Sequence, residues 1–136
     1  MRLLQSILKT WRRNLFRSLI VDDFRSWRGI DLQVASWHVQ KKLKSIDDSD
    51  HVGGMLPTSG LFPVAATAIW ALGKTIVPIN YLLSPDEIAY IIKDAGLKTV
   101  ITVGPMLDLV GPLPENVQEL RMDTMSFGGF PPFRRI

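Results

Sequence analysis

Hydrophobic and polar positions follow different periods along the chain, and the changes of period mark its elements. Across residues 2–17, Leu3, Leu4, Ile7, Leu8, Trp11 and Leu15 recur at helical spacing, while Arg2, Lys9, Arg12, Arg13 and Arg17 take the opposite face. This spacing predicts an amphipathic helix. Leu19-Ile20-Val21 is a β-prone run, Asp22-Asp23 supplies a turn, and Phe24 to Trp27 returns as a second strand, giving a small hairpin. From Ile30 to Ile46 the helical period resumes through Leu32, Ala35, Val39, Leu43 and Ile46. Asp31 near its start and Lys41, Lys42 and Lys44 near its end complement the helix dipole. Residues 45–50 read as a polar linker.

Strands and helices then alternate. Val52-Gly53-Gly54-Met55-Leu56 predicts a buried strand whose glycines admit a close neighbour. Leu61 to Leu72 is apolar on nearly every side, as expected of a helix between layers, with Pro63 tolerated in its first turn and Gly73 as its stop. Thr75 to Ile79 is a short strand that Pro78 assigns to an end or edge. Ser84-Pro85-Asp86-Glu87 is a capping box: the Ser84 hydroxyl accepts from the third helical N–H while Glu87 reaches back. Ile88, Ile91, Ile92 and Ala95 continue that helix until Gly96. Thr99 to Val103 is a β-branched strand, followed by a short helix after Gly104-Pro105 to about Val110 and a strand over Val117–Met122. The tail, residues 124–136, has loop composition. Strand–helix alternation over residues 51–103 with short connections predicts βαβ units and a mostly parallel sheet, so the fold class is α/β.

Composition narrows the chemistry. The 136 residues are 46% hydrophobic and 21% charged, which allows a packed core. There is no cysteine, so thiolate metal sites, disulfides and a cysteine nucleophile are excluded. The net charge of +3 conceals an asymmetry: residues 1–44 carry ten bases against Asp22, Asp23 and Asp31, while the remainder carries six bases against ten acids. No stretch reaches the roughly 20 apolar residues of a membrane span. Lys9, Arg12 and Arg13 interrupt any signal-peptide apolar core.

Few residues invite a catalytic assignment. There is no phosphate-cradling glycine pattern. Pro57-Thr58-Ser59-Gly60 lies between a strand and a helix, where backbone N–H groups could meet an anion, although an N-cap role for Thr58 or Ser59 accounts for it more simply. Asp47, Asp48 and Asp50 lack the glycine and distal glutamate of a calcium loop and read as a solvated linker. His38 and His51 have no evident partner for a triad or a metal. Asp86 and Glu87 are explained by capping. The N-terminal bases come without a nucleic-acid recognition motif, so nucleic acid is not an expected partner. No catalytic, cofactor-binding or metal-binding residue is assigned.

The order and spacing of these pieces carry a resemblance. Val52-Gly53-Gly54-Met55-Leu56-Pro57-Thr58-Ser59, Phe62, the alanine-rich helix ending Ala71-Leu72-Gly73-Lys74, Val77-Pro78-Ile79-Asn80 and the run from Ser84 to Lys98 together resemble the N-terminal region of adenylate-forming (AMP-binding) enzymes. Those include acyl-CoA synthetases, acyl–carrier-protein synthetases and peptide-synthetase adenylation domains. Ser26-Trp27 stands where the family often has Thr-Tyr. The resemblance covers residues 18–103, more loosely 104–136, and divides the chain into a basic helix (1–17), a partial α/β domain (18–123) and a tail (124–136).

What the resemblance implies is an acid–thiol ligase that uses ATP and Mg²⁺ to make an acyl-adenylate before passing the acyl group to a thiol. Asn80-Tyr81-Leu82-Leu83 and the basic helix lean toward fatty acyl substrates. The family's phosphate loop, its aromatic-Gly-x-Thr-Glu segment, its ribose-binding Asp and its C-terminal catalytic Lys have no counterpart in these residues. Phe130-Pro131-Pro132-Phe133 resembles the connector before the phosphate loop. The expectation is an incomplete N-terminal part of that fold, inactive alone and holding no cofactor by itself. A stand-alone membrane-docking or interaction module is the alternative, and a truncated product with a poorly soluble, half-built sheet is a third. The expected address is cytoplasmic, with a peripheral place at the membrane left open. Residues 2–17 leave two partners open, an anionic membrane surface or the remainder of the enzyme.

Overall fold

A computed structural model describes residues 1–125. Helix α1 (Arg2–Arg13) leads into strands β1 (Ser18–Val21) and β2 (Ser26–Arg28), then helix α2 (Gly29–Ile46). Next come β3 (His51–Met55), α3 (Leu61–Ala71), β4 (Thr75–Pro78), α4 (Pro85–Asp94), β5 (Thr99–Thr102), α5 (Gly104–Val110) and β6 (Gln118–Arg121), with a 3₁₀ turn at Met122–Thr124. Strands β1 and β2 form an antiparallel hairpin. The other four form a parallel sheet in the order β4-β3-β5-β6. The expected βαβ architecture is therefore present, with β4 at an edge as Pro78 requires. The strand expected at the loosely matching end, β6, is the other edge.

Period-two alternation divides the sheet between two apolar layers. Val52, Ile101 and Leu120 face a layer built from Trp11, Trp27, Leu32, Val39, Leu43, Val64 and Ile69. Met55 and Val100 face the other, with Ile88, Ile92, Leu97 and Val110. Helix α3 is buried on nearly every side, from Val64 through Ile69, because α2 covers the side turned away from the sheet. The buried hydroxyls of Ser36 and Thr67 satisfy each other at 2.8 Å across that α2–α3 interface.

Helix α1 is shorter than the period predicts. Asn14 ends it, its side-chain amide donating to the Thr10 carbonyl at 2.8 Å. Trp11 is buried, and Ile7 and Leu8 pack against the same core. Gly29 lets the two helices meet, since a Cβ there would collide with the carbonyl oxygens of Trp11 and Asn14. The capping box at α4 forms as expected, with Glu87 N donating to Ser84 Oγ at 3.2 Å. Gly73 and Gly96 follow α3 and α4 with positive φ.

The polar segment after α2 departs from the solvated linker. Asp47 is buried, not solvated. Its Oδ1 accepts from Ser49 N at 2.7 Å, and Lys74 reaches the Ser49 carbonyl beside it. Burial pushes the Asp47 carboxyl up, but the hydrogen bonds from Ser49 and the Lys74 charge outweigh it and hold the group below the usual range. The departure is confined to Asp47, which turns inward where the segment enters β3; Asp48 and Asp50 are exposed, as a solvated linker requires.

Candidate functional site

In a parallel α/β sheet, ligands meet the chain beyond the carboxyl ends of the strands. Here β3 runs into Pro57-Thr58-Ser59-Gly60 and α3, while β5 runs into Gly104 and α5. A cavity of about 250 Å³ opens between these two turns. Its walls are Phe24 and Trp27 from the hairpin, Pro57 and Leu61 on one turn, and Pro105 and Met106 on the other.

Two carboxylates flank it, and both are engaged. Asp22 closes the hairpin turn, with Oδ1 accepting from the backbone N–H of Phe24 at 2.8 Å and of Arg25 at 2.9 Å. Its Oδ2 accepts from the Trp27 indole N–H at 2.8 Å and from Gly60 N at 2.9 Å. Burial raises the Asp22 carboxyl, but these four donors, Gly60 foremost, prevail and lower it below its ordinary value. On the far side Asp123 Oδ2 accepts from Gly104 N at 3.0 Å and from Arg121 Nη2 at 3.1 Å. Burial again opposes, and Arg121 and Gly104 win, so Asp123 is also lowered.

The Pro57–Gly60 turn does meet an anion through Gly60 N, and that anion is the protein's own Asp22. The N-cap position belongs to Gly60, not Thr58 or Ser59; Ser59 Oγ instead accepts from Leu61 N at 3.2 Å. Gly60 is required there because a Cβ would strike the Trp27 indole ring. Asp22 was legible as a turn residue only; its partner lies 38 positions away.

The cations nearby are committed as well. Arg25 is buried, its guanidinium 4.1 Å from the centre of the Trp27 ring and 3.2 Å from Asp31 Oδ2. Arg28 Nε lies 3.1 Å from the same carboxylate oxygen. Burial raises Asp31, while Arg28 and Arg25 together hold it low. The crevice therefore presents an apolar lining between filled hydrogen-bond networks. It can accept an apolar group. The cations beside it, Arg25 and Arg121, are tied to carboxylates, and among the described residues no group of three or more His, Asp or Glu side chains forms a metal-holding cluster. The remaining sequence candidates stay apart from it: Asp86 and Glu87 at the start of α4, His51 at the start of β3 and His38 in the middle of α2. A larger cavity of about 630 Å³ runs between α2 and edge strand β6, lined by Lys41, Lys42, Glu119 and Arg121 among others.

Comparison with known proteins places this arrangement. The family profile described as "AMP-binding enzyme" matches residues 33–127. No curated protein matches the sequence. Among solved structures, the nonribosomal peptide synthetase FmoA3 in its α-methyl-L-serine-AMP-bound form superposes with a TM-score of 0.80 at 21% identity, over 98% of this chain and 15% of that one. A fatty acyl CoA synthetase of Mycobacterium tuberculosis gives 0.68 at 19% identity, over 91% and 28%. A benzoate CoA ligase from Burkholderia xenovorans gives 0.66 at 19%, over 79% and 22%. The chain spans about one-seventh to less than a third of these proteins, and at such identities the likeness is one of fold.

Proposed function

The chain belongs to the AMP-binding enzyme family, and from that premise we propose that it serves as the N-terminal part of an AMP-forming acid–thiol ligase. The observation that carries this reading is the coincidence of two spans: the family match runs from within α2 to just past the 3₁₀ turn, and the fold likeness to FmoA3 covers 98% of the chain. In such a ligase ATP and a carboxylate give an acyl-adenylate and pyrophosphate, and a thiol then takes the acyl group. That chemistry needs positive groups and a metal against the leaving pyrophosphate. The described residues do not supply them. Their contribution is structural: β3 and β5 fix the position of two turns, and Asp22 and Asp123 hold those turns through Gly60 and Gly104.

On this reading the partner of the segment is the rest of the ligase, which completes the sheet at its free edge β6 and supplies the groups that bind ATP. Asn80-Tyr81-Leu82-Leu83 favours a fatty acyl over an amino acid substrate; Leu82 is exposed and available to line a neighbouring surface. The coding DNA past the codon for Ile136 tests the proposal. A continuing frame, or one restored by a single frameshift, that encodes a Ser/Thr/Gly-rich phosphate loop is the expected result. Downstream DNA without such a loop in any frame contradicts it.

A further inference from the structure

Helix α1 offers a surface that the ligase reading leaves unused. The middle of its apolar stripe is consumed by the fold: Trp11 is buried, and Ile7 and Leu8 pack on the core beneath it. At 100° per residue, Arg2, Lys9, Arg12 and Arg13 fall within one arc opposite Trp11, and all four are exposed. Arg17 lies exposed just past the helix end. No acidic residue occurs before Asp22, and among the described residues none of these five cations forms an ion pair. Apolar side chains lie exposed at both ends of the row: Met1 (62%) and Leu3 (52%) at the start, Phe16 (75%) at the finish.

We infer that the outer face of docked α1 is a peripheral docking surface for an anionic lipid bilayer, engaged while the helix stays packed on the body of the protein. Three observations choose this occupant. A row of cations along a straight helix about 18 Å long matches a flat sheet of headgroups. Met1, Leu3 and Phe16 gain from a lipid interface but nothing from a hydrated phosphate backbone, which weighs against nucleic acid. The charge asymmetry also orients the molecule, because residues 45–136 carry a balance of −4 and are repelled by the surface that attracts the helix. With Ile7, Leu8 and Trp11 already held by the protein, the helix lies at headgroup level and only Met1, Leu3 and Phe16 reach toward the acyl boundary. That contact is electrostatic in the main, and salt therefore weakens it.

Flotation of the whole chain with phosphatidylcholine vesicles, with and without phosphatidylserine, tests this directly. The expected result is binding only to phosphatidylserine vesicles, lost at high salt. It should fall at least about tenfold in the Arg2→Gln/Lys9→Gln/Arg12→Gln/Arg13→Gln variant, whose unchanged thermal transition shows an intact fold. A Leu3→Gln/Phe16→Gln variant should also bind more weakly, which a purely cationic contact would not show. Trp11→Ala, which loosens the helix from the core, should still bind. Equal binding to uncharged vesicles, no binding to anionic ones, or an unaffected four-site variant overturns the inference. So does duplex RNA that strips the chain from vesicles at equal phosphate concentration, which assigns the face to nucleic acid.

Discussion

On one side of the sheet, α4 rests Ile88 and Ile92 on the core and closes its own start through Ser84 and Glu87, three residues apart. On the other side, Asp22 fastens α3 to the hairpin by accepting from Gly60 N, 38 positions away, while Arg25 and Arg28 pair with Asp31 to tie the start of α2 to the hairpin. The first layer is apolar contact plus a local cap. The second is apolar contact plus a buried polar network in which each member satisfies another. Such networks are costly to break because a lost partner leaves a buried group unpaired. The hairpin side should therefore respond far more steeply to single substitutions than the α4 side.

The largest effect is expected at Trp27, which is buried to 1%, donates to Asp22 and stacks under Arg25. Trp27→Ala should cost about 3–5 kcal/mol in chemical denaturation. Loss of less than a kilocalorie or so would show that the network is peripheral. Next comes Asp22→Ala, which strands the Gly60 and Trp27 donors and should cost roughly 2–3 kcal/mol.

Acid probes the hairpin network, and with it Asp123 at the β5–α5 turn, without mutation. Asp22, Asp31 and Asp123 have folded-state values below the ordinary 3.8, so the stability they contribute is complete above that value and is lost as the pH falls through their lowered ones. Denaturation profiles should therefore weaken steadily below about pH 4, and Asp22→Asn should flatten the slope. The smallest effect is expected on the other layer. Ser84→Ala should cost about 1 kcal/mol, the ordinary value of an N-cap, with no change in acid sensitivity. A Ser84 effect equal to that of Asp22 would erase the contrast between the layers.

The same contrast explains which features could be read from the sequence. The α4 helix is legible because cap, apolar period and terminating Gly96 lie within thirteen residues and act on one another directly. The parallel sheet is legible from the alternation of β-branched runs with helical ones. Residues 57–60 can be recognised as a strand-to-helix turn, but not the identity of the anion that fills it, because Asp22 arrives from a hairpin far earlier in the chain. Asp47 reads as solvated because its neighbours are polar; the Lys74 charge that helps hold it low belongs to another element. The amphipathic period of α1 is plain, yet whether its stripe meets a membrane or the protein depends on α2 and on the absent side chain of Gly29. The reading of residues 126–136 as a loop-like connector lies outside the described residues.

ATP–pyrophosphate exchange by the purified 136-residue chain, with a panel of fatty and aromatic acids, tests the central claim most directly. The account predicts no exchange above a protein-free control with any acid, because Arg25 and Arg121 are already paired with carboxylates and the Gly60 N–H is taken by Asp22. Robust, acid-dependent exchange by this chain alone would contradict it.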